Sequence, residues 1–363
     1  METVFIPEDL TANLPSLSFE APLTADGKKI TKALRDQRRW LSCCGCGHAV
    51  FYCNLLTAMR CKLLNESFFL HSLLVKFEMM LIHKGSLRVG IVGCGQFGNQ
   101  LVMSLLLLTD LTPHDIFIST RRPEKLDDLQ ALGVQCFYDN RRVAGSVDLL
   151  FLCCLPCHLL KVATEIRGNV HPFCVVYSLV TGVSILRLKQ VLEHSAVLKP
   201  EYCVQDMAEH ADLWQANRST AEALQEPRVI EATSPFKPSG VWCVNSKWFE
   251  AVLYSTLNIF HPPKVPSQVV LDILNDLFFG CSEPEAGANT PLFTWESFVN
   301  QPCASMMTEE DPFPWFDLTT VAVADTPLTE FLAAQPSLWE HLAHVYQKAM
   351  SDTEPVAAPV NNI

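Results

Sequence analysis

The stretch RVGIVGCGQFGNQL, Arg88 to Leu101, decides the fold of this chain. It opens inside a short apolar run with β-branched residues, Leu87 to Val92, the pattern of a buried strand. It closes at the start of a helical run, Gln96 to Leu108. Between them stands Gly-x-Gly-x-x-Gly, in the strand-to-helix context that gives the motif its meaning. Gly93 permits the tight turn out of the strand, Gly95 leaves the backbone bare for a pyrophosphate, and Gly98 lets helix and sheet approach. Free N–H groups and the positive end of the helix then face the phosphates. Gly93, Cys94, Gly95, Gln96, Phe97 and Gly98 are the first candidate cofactor-binding residues.

Working outward, the chain alternates strand and helix as far as Leu198. Further strands are expected at Asp115–Ser119, Val134–Phe137, Val147–Cys153, Phe173–Leu179 and Ala196–Leu198. The run VDLLFLC is apolar throughout, as a strand buried on both faces should be. Helices are expected from Pro123 and Glu124 to Leu132, stopped by Gly133, then over Pro156–Ile166 and Ser184–Leu192. This rhythm predicts right-handed βαβ units and an α/β fold, a Rossmann-type doubly wound parallel sheet over residues 85–200. Residues 1–84 read as an N-terminal extension, irregular to about residue 30 and then two or three helices. Residues 201–363 read as a mainly helical, acidic region in which the β rhythm is lost. Helices are expected there at Ser246–Phe260 and Ser267–Phe279, then a long loop with short helical turns from Gly280 to Thr326, and one long or two short helices over Leu328–Met350.

The end of the second strand selects the dinucleotide. A site for NAD usually places Asp or Glu there, on the ribose 2′-hydroxyl. Here the chain reads Ser119-Thr120-Arg121-Arg122. Two hydroxyls and two guanidiniums suit a 2′-phosphate, which Arg binds as a bidentate fork. The expected cofactor is NADP(H).

These pieces, with ISTRRPEKLDDLQALGVQ, SVDLLFLCCLP and VVYSLVTGVSILRLKQVL, resemble in order and spacing the N-terminal domain of the pyrroline-5-carboxylate reductase family. The resemblance covers about a third of the chain. It implies a cofactor cradle in which Ser119, Thr120 and Arg121 meet the 2′-phosphate and Asn140 lies near the adenosine end. It also implies that Leu155 and Pro156, beside Cys154, and Thr181 and Gly182 border the nicotinamide. Pairing of two copies through C-terminal helices is a further implication. The chain departs from the family at three places. Cys154-Leu155-Pro156 stands where Val-Lys-Pro is common, Lys199-Pro200-Glu201-Tyr202 lacks an asparagine, and the last third has no Ser-Gly-Ser-Gly-Pro-like helix start. The cofactor half is thereby implied, and proline synthesis is not.

Composition bounds the remaining classes. With 49% hydrophobic and 18% charged residues, the chain of 363 is globular. Its net charge of −12 is uneven, about +2 for 1–84, about +2 for 85–200 and about −16 thereafter. So acidic a last third argues against nucleic acid. The apolar run Phe68–Ile82 is broken by His71, Lys76 and Glu78, which argues against a membrane span. Met1 to Leu14 mix acids and prolines without a basic start and apolar core, so the cytosol is the default compartment. Cys43, Cys44, Cys46 and Cys53, near His48, lack the second ligand pair of a zinc site and read as small packed thiols. His158, His171 and Lys199 are the titratable residues nearest in sequence to the expected functional edge, and none is assigned a catalytic role. Two functions follow. One is reduction of a small imine or carbonyl by hydride from NADPH. The other is a catalytically inactive NADP(H)-binding module that ties protein interaction to redox state.

Overall fold

Strand β1 (Val89–Val92) runs through the middle of a six-stranded parallel sheet of order β3-β2-β1-β4-β5-β6. This is the doubly wound order expected of a dinucleotide-binding sheet. The computed structural model describes residues 25–67, 86–204, 218–236, 242–261, 264–280 and 291–351. β2 (Ile116–Ser119) and β4 (Leu149–Leu152) flank β1 in matched register, so Val92, Ser119 and Leu152 end together at the carboxyl edge. β3 (Gln135–Phe137), β5 (Val175–Ser178) and β6 (Val197–Leu198) complete the sheet. The order reverses between β1 and β4, and there the strand ends leave a crevice.

One face is covered by α4 (Asn140–Ala144), α5 (Leu159–Ile166) and α6 (Ile185–Leu192). α5 turns Leu159, Val162, Ala163 and Ile166 inward, the one-face spacing of an amphipathic helix. Leu150, Leu152 and Val176 meet them from the sheet. α4 was not expected from sequence. Its Asp139 side chain accepts from Arg141 N (2.9 Å) and Arg142 N (3.1 Å), a cap for a helix too short to show a period. Two expected helices are shorter than read. Pro123–Lys125 is a 3-10 turn before α3 (Asp127–Ala131), and Pro156–His158 is a 3-10 turn before α5.

The other face meets α2 (Gln96–Leu108) and the long α1 (Ala25–Ser67). The expected two or three N-terminal helices are, among the described residues, one helix of 43 residues that begins at Ala25. No proline interrupts it, and its glycines are contact points instead of stops. A Cβ on Gly45 would meet Phe97 Cζ at 3.1 Å, and one on Gly47 would meet Tyr346 Oη at 2.8 Å. α1 is long and apolar enough to cross a membrane, yet 78% of its most apolar window is buried inside the protein. Residues 1–24 and 68–85, including the run Phe68–Ile82, lie outside the described residues.

Beyond Pro200 the β pattern returns, contrary to expectation. β7 (Tyr202–Val204) pairs antiparallel with β8 (Trp242–Val244). Three-residue strands carry too little alternation to be read. α7 (Thr220–Ala223), α8 (Pro227–Thr233), α9 (Ser246–Phe260) and α10 (Ser267–Phe279) follow the fold around α1. The expected loop carries α11 (Gln301–Ala304) and α12 (Leu318–Val321), with 281–290 outside the described residues. The last helical stretch is two helices, α13 (Pro327–Ala333) and α14 (Ser337–Ser351), with Pro336 between them. A single apolar cluster joins α1, the sheet, α9, α10 and α14.

His48 of α1 lies inside this cluster at 1% exposure. Its Nε2 donates to the Thr233 carbonyl at 2.9 Å, so Nδ1 accepts from the Tyr202 hydroxyl at 2.9 Å. The ring stacks on Tyr202 with centroids 5.5 Å apart. Burial lowers its pKa from 6.5 to about 4, against a smaller opposing effect of the Thr233 carbonyl. Below pH 6.5 the unfolded chain binds a proton that the folded chain refuses until about pH 4. Its contribution is therefore complete above pH 6.5 and is lost as pH falls through that window, by about 1.4 kcal/mol per unit and about 3 kcal/mol in all. Urea unfolding at successive pH values should show this slope, and His48→Gln should flatten it. An equal slope in both proteins would remove the assignment.

Candidate cofactor site

The crevice at the carboxyl edge is a cleft of about 840 Å³. Its floor is the glycine turn. Gly93 has φ +98°, a conformation that favours glycine, and its N–H donates to the Ser119 carbonyl at 2.9 Å. A Cβ there would meet the Cys154 nitrogen at 2.9 Å. A Cβ on Gly98 would drive into the Gly93 carbonyl oxygen. Gly95, the N-cap residue of α2, differs: a Cβ there meets nothing within 4 Å. The fold thus requires Gly93 and Gly98, whereas Gly95 borders open space at the N-terminus of a 13-residue helix. That is the vacancy a phosphate needs to reach backbone N–H groups.

The second wall comes from the end of β2. Ser119 is buried, Thr120 is half-buried, and the Thr120 N–H donates to the Phe137 carbonyl at 3.0 Å. This bond turns the following chain over the cleft, where Arg121, Arg122 and Lys125 are exposed. None of these three cations forms an ion pair among the described residues. In a chain of net charge −12, unpaired cations side by side form a place for an anion. Asn140 closes the far end, its amide donating to Glu165 Oε2 at 2.6 Å.

Of the residues expected from sequence, the cleft brings together Gly93, Cys94, Gly95, Gln96, Phe97, Ser119, Thr120, Arg121, Arg122, Asn140, Cys154 and Leu155. Gly98 lies beneath the turn. Pro156, Thr181 and Gly182 are exposed and do not line the cleft. His158 lines it from the 3-10 turn. His171 does not, because it precedes β5 and so sits at the amino edge, its Nδ1 accepting from Phe173 N at 3.3 Å. Lys199 is held by Glu201, Nζ to Oε1 2.9 Å, and is also outside the lining. Sequence reasoning missed Arg38, Lys125, Tyr138, Lys161 and Glu165. Tyr138 stands 72% exposed directly after β3, a signal that an aromatic at a strand end could have given.

Burial disfavours the thiolate form of the cysteines that line the cleft. Burial pushes Cys94 up to about 12, with Cys136 adding to it, and burial pushes Cys154 up to about 11. The thiol, not the thiolate, is then the resident form. Cys43, Cys44, Cys46 and Cys53 are buried free thiols in α1. Among the described residues no group of three or more His, Cys, Asp or Glu is placed to hold a metal ion.

The family described as NADP oxidoreductase, coenzyme F420-dependent, matches residues 88–179. NADP-dependent oxidoreductase domain-containing protein 1 of Mus musculus is 34% identical over 344 residues, covering 93% of this chain and 92% of that protein. Pyrroline-5-carboxylate reductase of Escherichia coli K12 is 27% identical over 108 residues, 30% of this chain and 40% of that protein. Among solved structures, a Plasmodium falciparum pyrroline carboxylate reductase with NADP bound aligns over 73% of this chain and 97% of that one, at 13% identity and a TM-score of 0.29.

The two glycines separate fold from binding. Gly98→Ala should destabilise by about 1–3 kcal/mol in urea unfolding, since the clash is with backbone. Gly95→Asp should leave the unfolding midpoint near that of the parent and abolish nucleotide binding by titration, because its carboxylate fills and charges the phosphate space. Nucleotide binding that survives Gly95→Asp would move the phosphates elsewhere.

Proposed function

The chain belongs to the family of NADP-dependent oxidoreductase domain-containing protein 1, related to pyrroline-5-carboxylate reductase, and on that premise we propose that it binds NADP(H) and reduces a small imine or carbonyl by hydride transfer. The observation that carries this reading is the set of unpaired cations at the end of β2, in one cleft with the glycine turn. Arg121 and Arg122 suit a 2′-phosphate, and Gly95 leaves room for the pyrophosphate. When bound, the nicotinamide supplies the hydride. The chain itself binds and orients the dinucleotide, turning its reactive end toward the strand ends between β1 and β4. Cys154 and Leu155 wall that end with a protonated thiol and an apolar side chain.

One observation favours the second reading, an NADP(H)-binding module without turnover. α1 comes down at the carboxyl edge, where the Gly45 Cβ position lies 3.1 Å from Phe97 Cζ and 3.7 Å from Leu179 Cδ2. Leu179 follows β5, so the protein's own helix occupies ground beside the strand ends. Steady NADPH oxidation across a panel of cyclic imines and ketones would decide for the enzyme. Tight binding with no turnover on the whole panel would decide for the module.

The cofactor assignment has its own check. Arg121→Ala should cost NADPH about 1.5–3 kcal/mol of affinity by calorimetric titration and leave NADH unchanged, since the lost contacts are charge-assisted hydrogen bonds to the 2′-phosphate. Equal losses for both nucleotides would withdraw Arg121 from that role.

A further inference from the structure

We propose that Arg38, carried by the N-terminal helix α1, is a binding residue for the dinucleotide's pyrophosphate. This rests on the cofactor reading above and extends the site beyond the βαβ sheet.

Arg38 is exposed and lines the same cleft as the glycine turn. Its Nη2 donates to Oε1 of Gln96, the first residue of α2 and the neighbour of Gly95. That contact sets the guanidinium beside the open space over Gly95, where a Cβ would meet nothing within 4 Å. The partner is a neutral amide, and Arg38 has no carboxylate partner among the described residues, so its charge is uncompensated. A guanidinium carries five donors. One bond to Gln96 leaves a fork for a phosphate, the geometry in which Arg binds such groups best.

The placement is fixed by packing. Two residues on, Trp40 is fully buried, and seven residues on, Gly45 seats against Phe97 of the motif itself. Farther along α1, Arg60 pairs with Asp148 at the opposite edge of the sheet, Nη1 to Oδ2 3.2 Å. The helix therefore spans the sheet from edge to edge and delivers Arg38 to one end. Arg121 and Arg38 then divide the work. Arg121 reads the 2′-phosphate at the end of β2, and Arg38 meets the phosphates common to both nucleotides at the start of α2.

The division gives a test by calorimetric titration of the full-length protein with NADPH and with NADH, for wild type, Arg38→Ala, Arg38→Lys and Arg121→Ala. Arg38→Ala should weaken both nucleotides by the same factor, about tenfold, so the ratio of their affinities stays that of wild type. Arg38→Lys should recover part of the loss, because the charge remains and the fork does not. Thermal unfolding without nucleotide should match wild type, since the side chain is exposed. Unchanged affinities in Arg38→Ala, or a loss confined to NADPH, overturn the assignment while wild-type binding keeps the cofactor reading intact. Failure of wild type to bind either nucleotide overturns both.

Discussion

Burial of the middle of α1 is the constraint on which the rest of the structure depends. Cys43, Cys44, Cys46, Ala49, Val50, Phe51, Tyr52 and Cys53 are each at most 2% exposed, on every side of the helix. A helix apolar all round must be enclosed. Here the sheet and α2 enclose one side and α7, α8, α10 and α14 the others. Each large apolar side chain so buried contributes roughly 1.5–3 kcal/mol. The small residues matter as much as the large ones. Gly45, Gly47 and the cysteines let Phe97, Leu224 and Tyr346 come close, which bulkier residues at those sites would prevent.

A core held by apolar contact alone is tolerant of sliding, and this one is pinned by polar groups at defined depths. His48 ties α1 to β7 and to the end of α8. Tyr52 shares a 2.7 Å hydrogen bond with Ser255 of α9, and Trp248 donates to the Tyr177 hydroxyl of β5 at 2.9 Å. Glu250, 1% exposed, accepts from Lys247, Thr326 and Thr329, joining α9 to α13. Each group would be costly if left unpaired, so each admits one register between its elements. The consequence at the carboxyl edge is a fixed position for the start of α1 relative to the glycine turn.

The cleft combines this rigidity with an electrostatic contrast. The chain is acidic as a whole, yet Arg38, Arg121, Arg122, Lys125 and Lys161 gather at one crevice. With five cations against the single carboxylate of Glu165, the net positive charge of this concave site focuses the field and draws in an anion against the global repulsion. The neighbouring thiols stay protonated by burial, so they add no negative charge to oppose it.

What the sequence determined by itself is the local chemistry. The βαβ rhythm, the glycine turn and the Ser-Thr-Arg-Arg end of β2 are legible because each follows from residues within one element or one turn. Short elements escaped, since Asn140–Ala144 and the three-residue strands β7 and β8 hold less than two periods of any pattern. Distant pairings were decided only by the tertiary structure. Arg38 meets Gln96 across 58 positions and His48 meets Thr233 across 185, and no periodicity encodes such contacts. The same holds for Pro156, Thr181 and Gly182, which follow β4 and β5 yet are exposed and stand outside the lining of the cleft. A strand end fixes which edge of the sheet a residue reaches, and only packing of the whole chain fixes which cavity it enters.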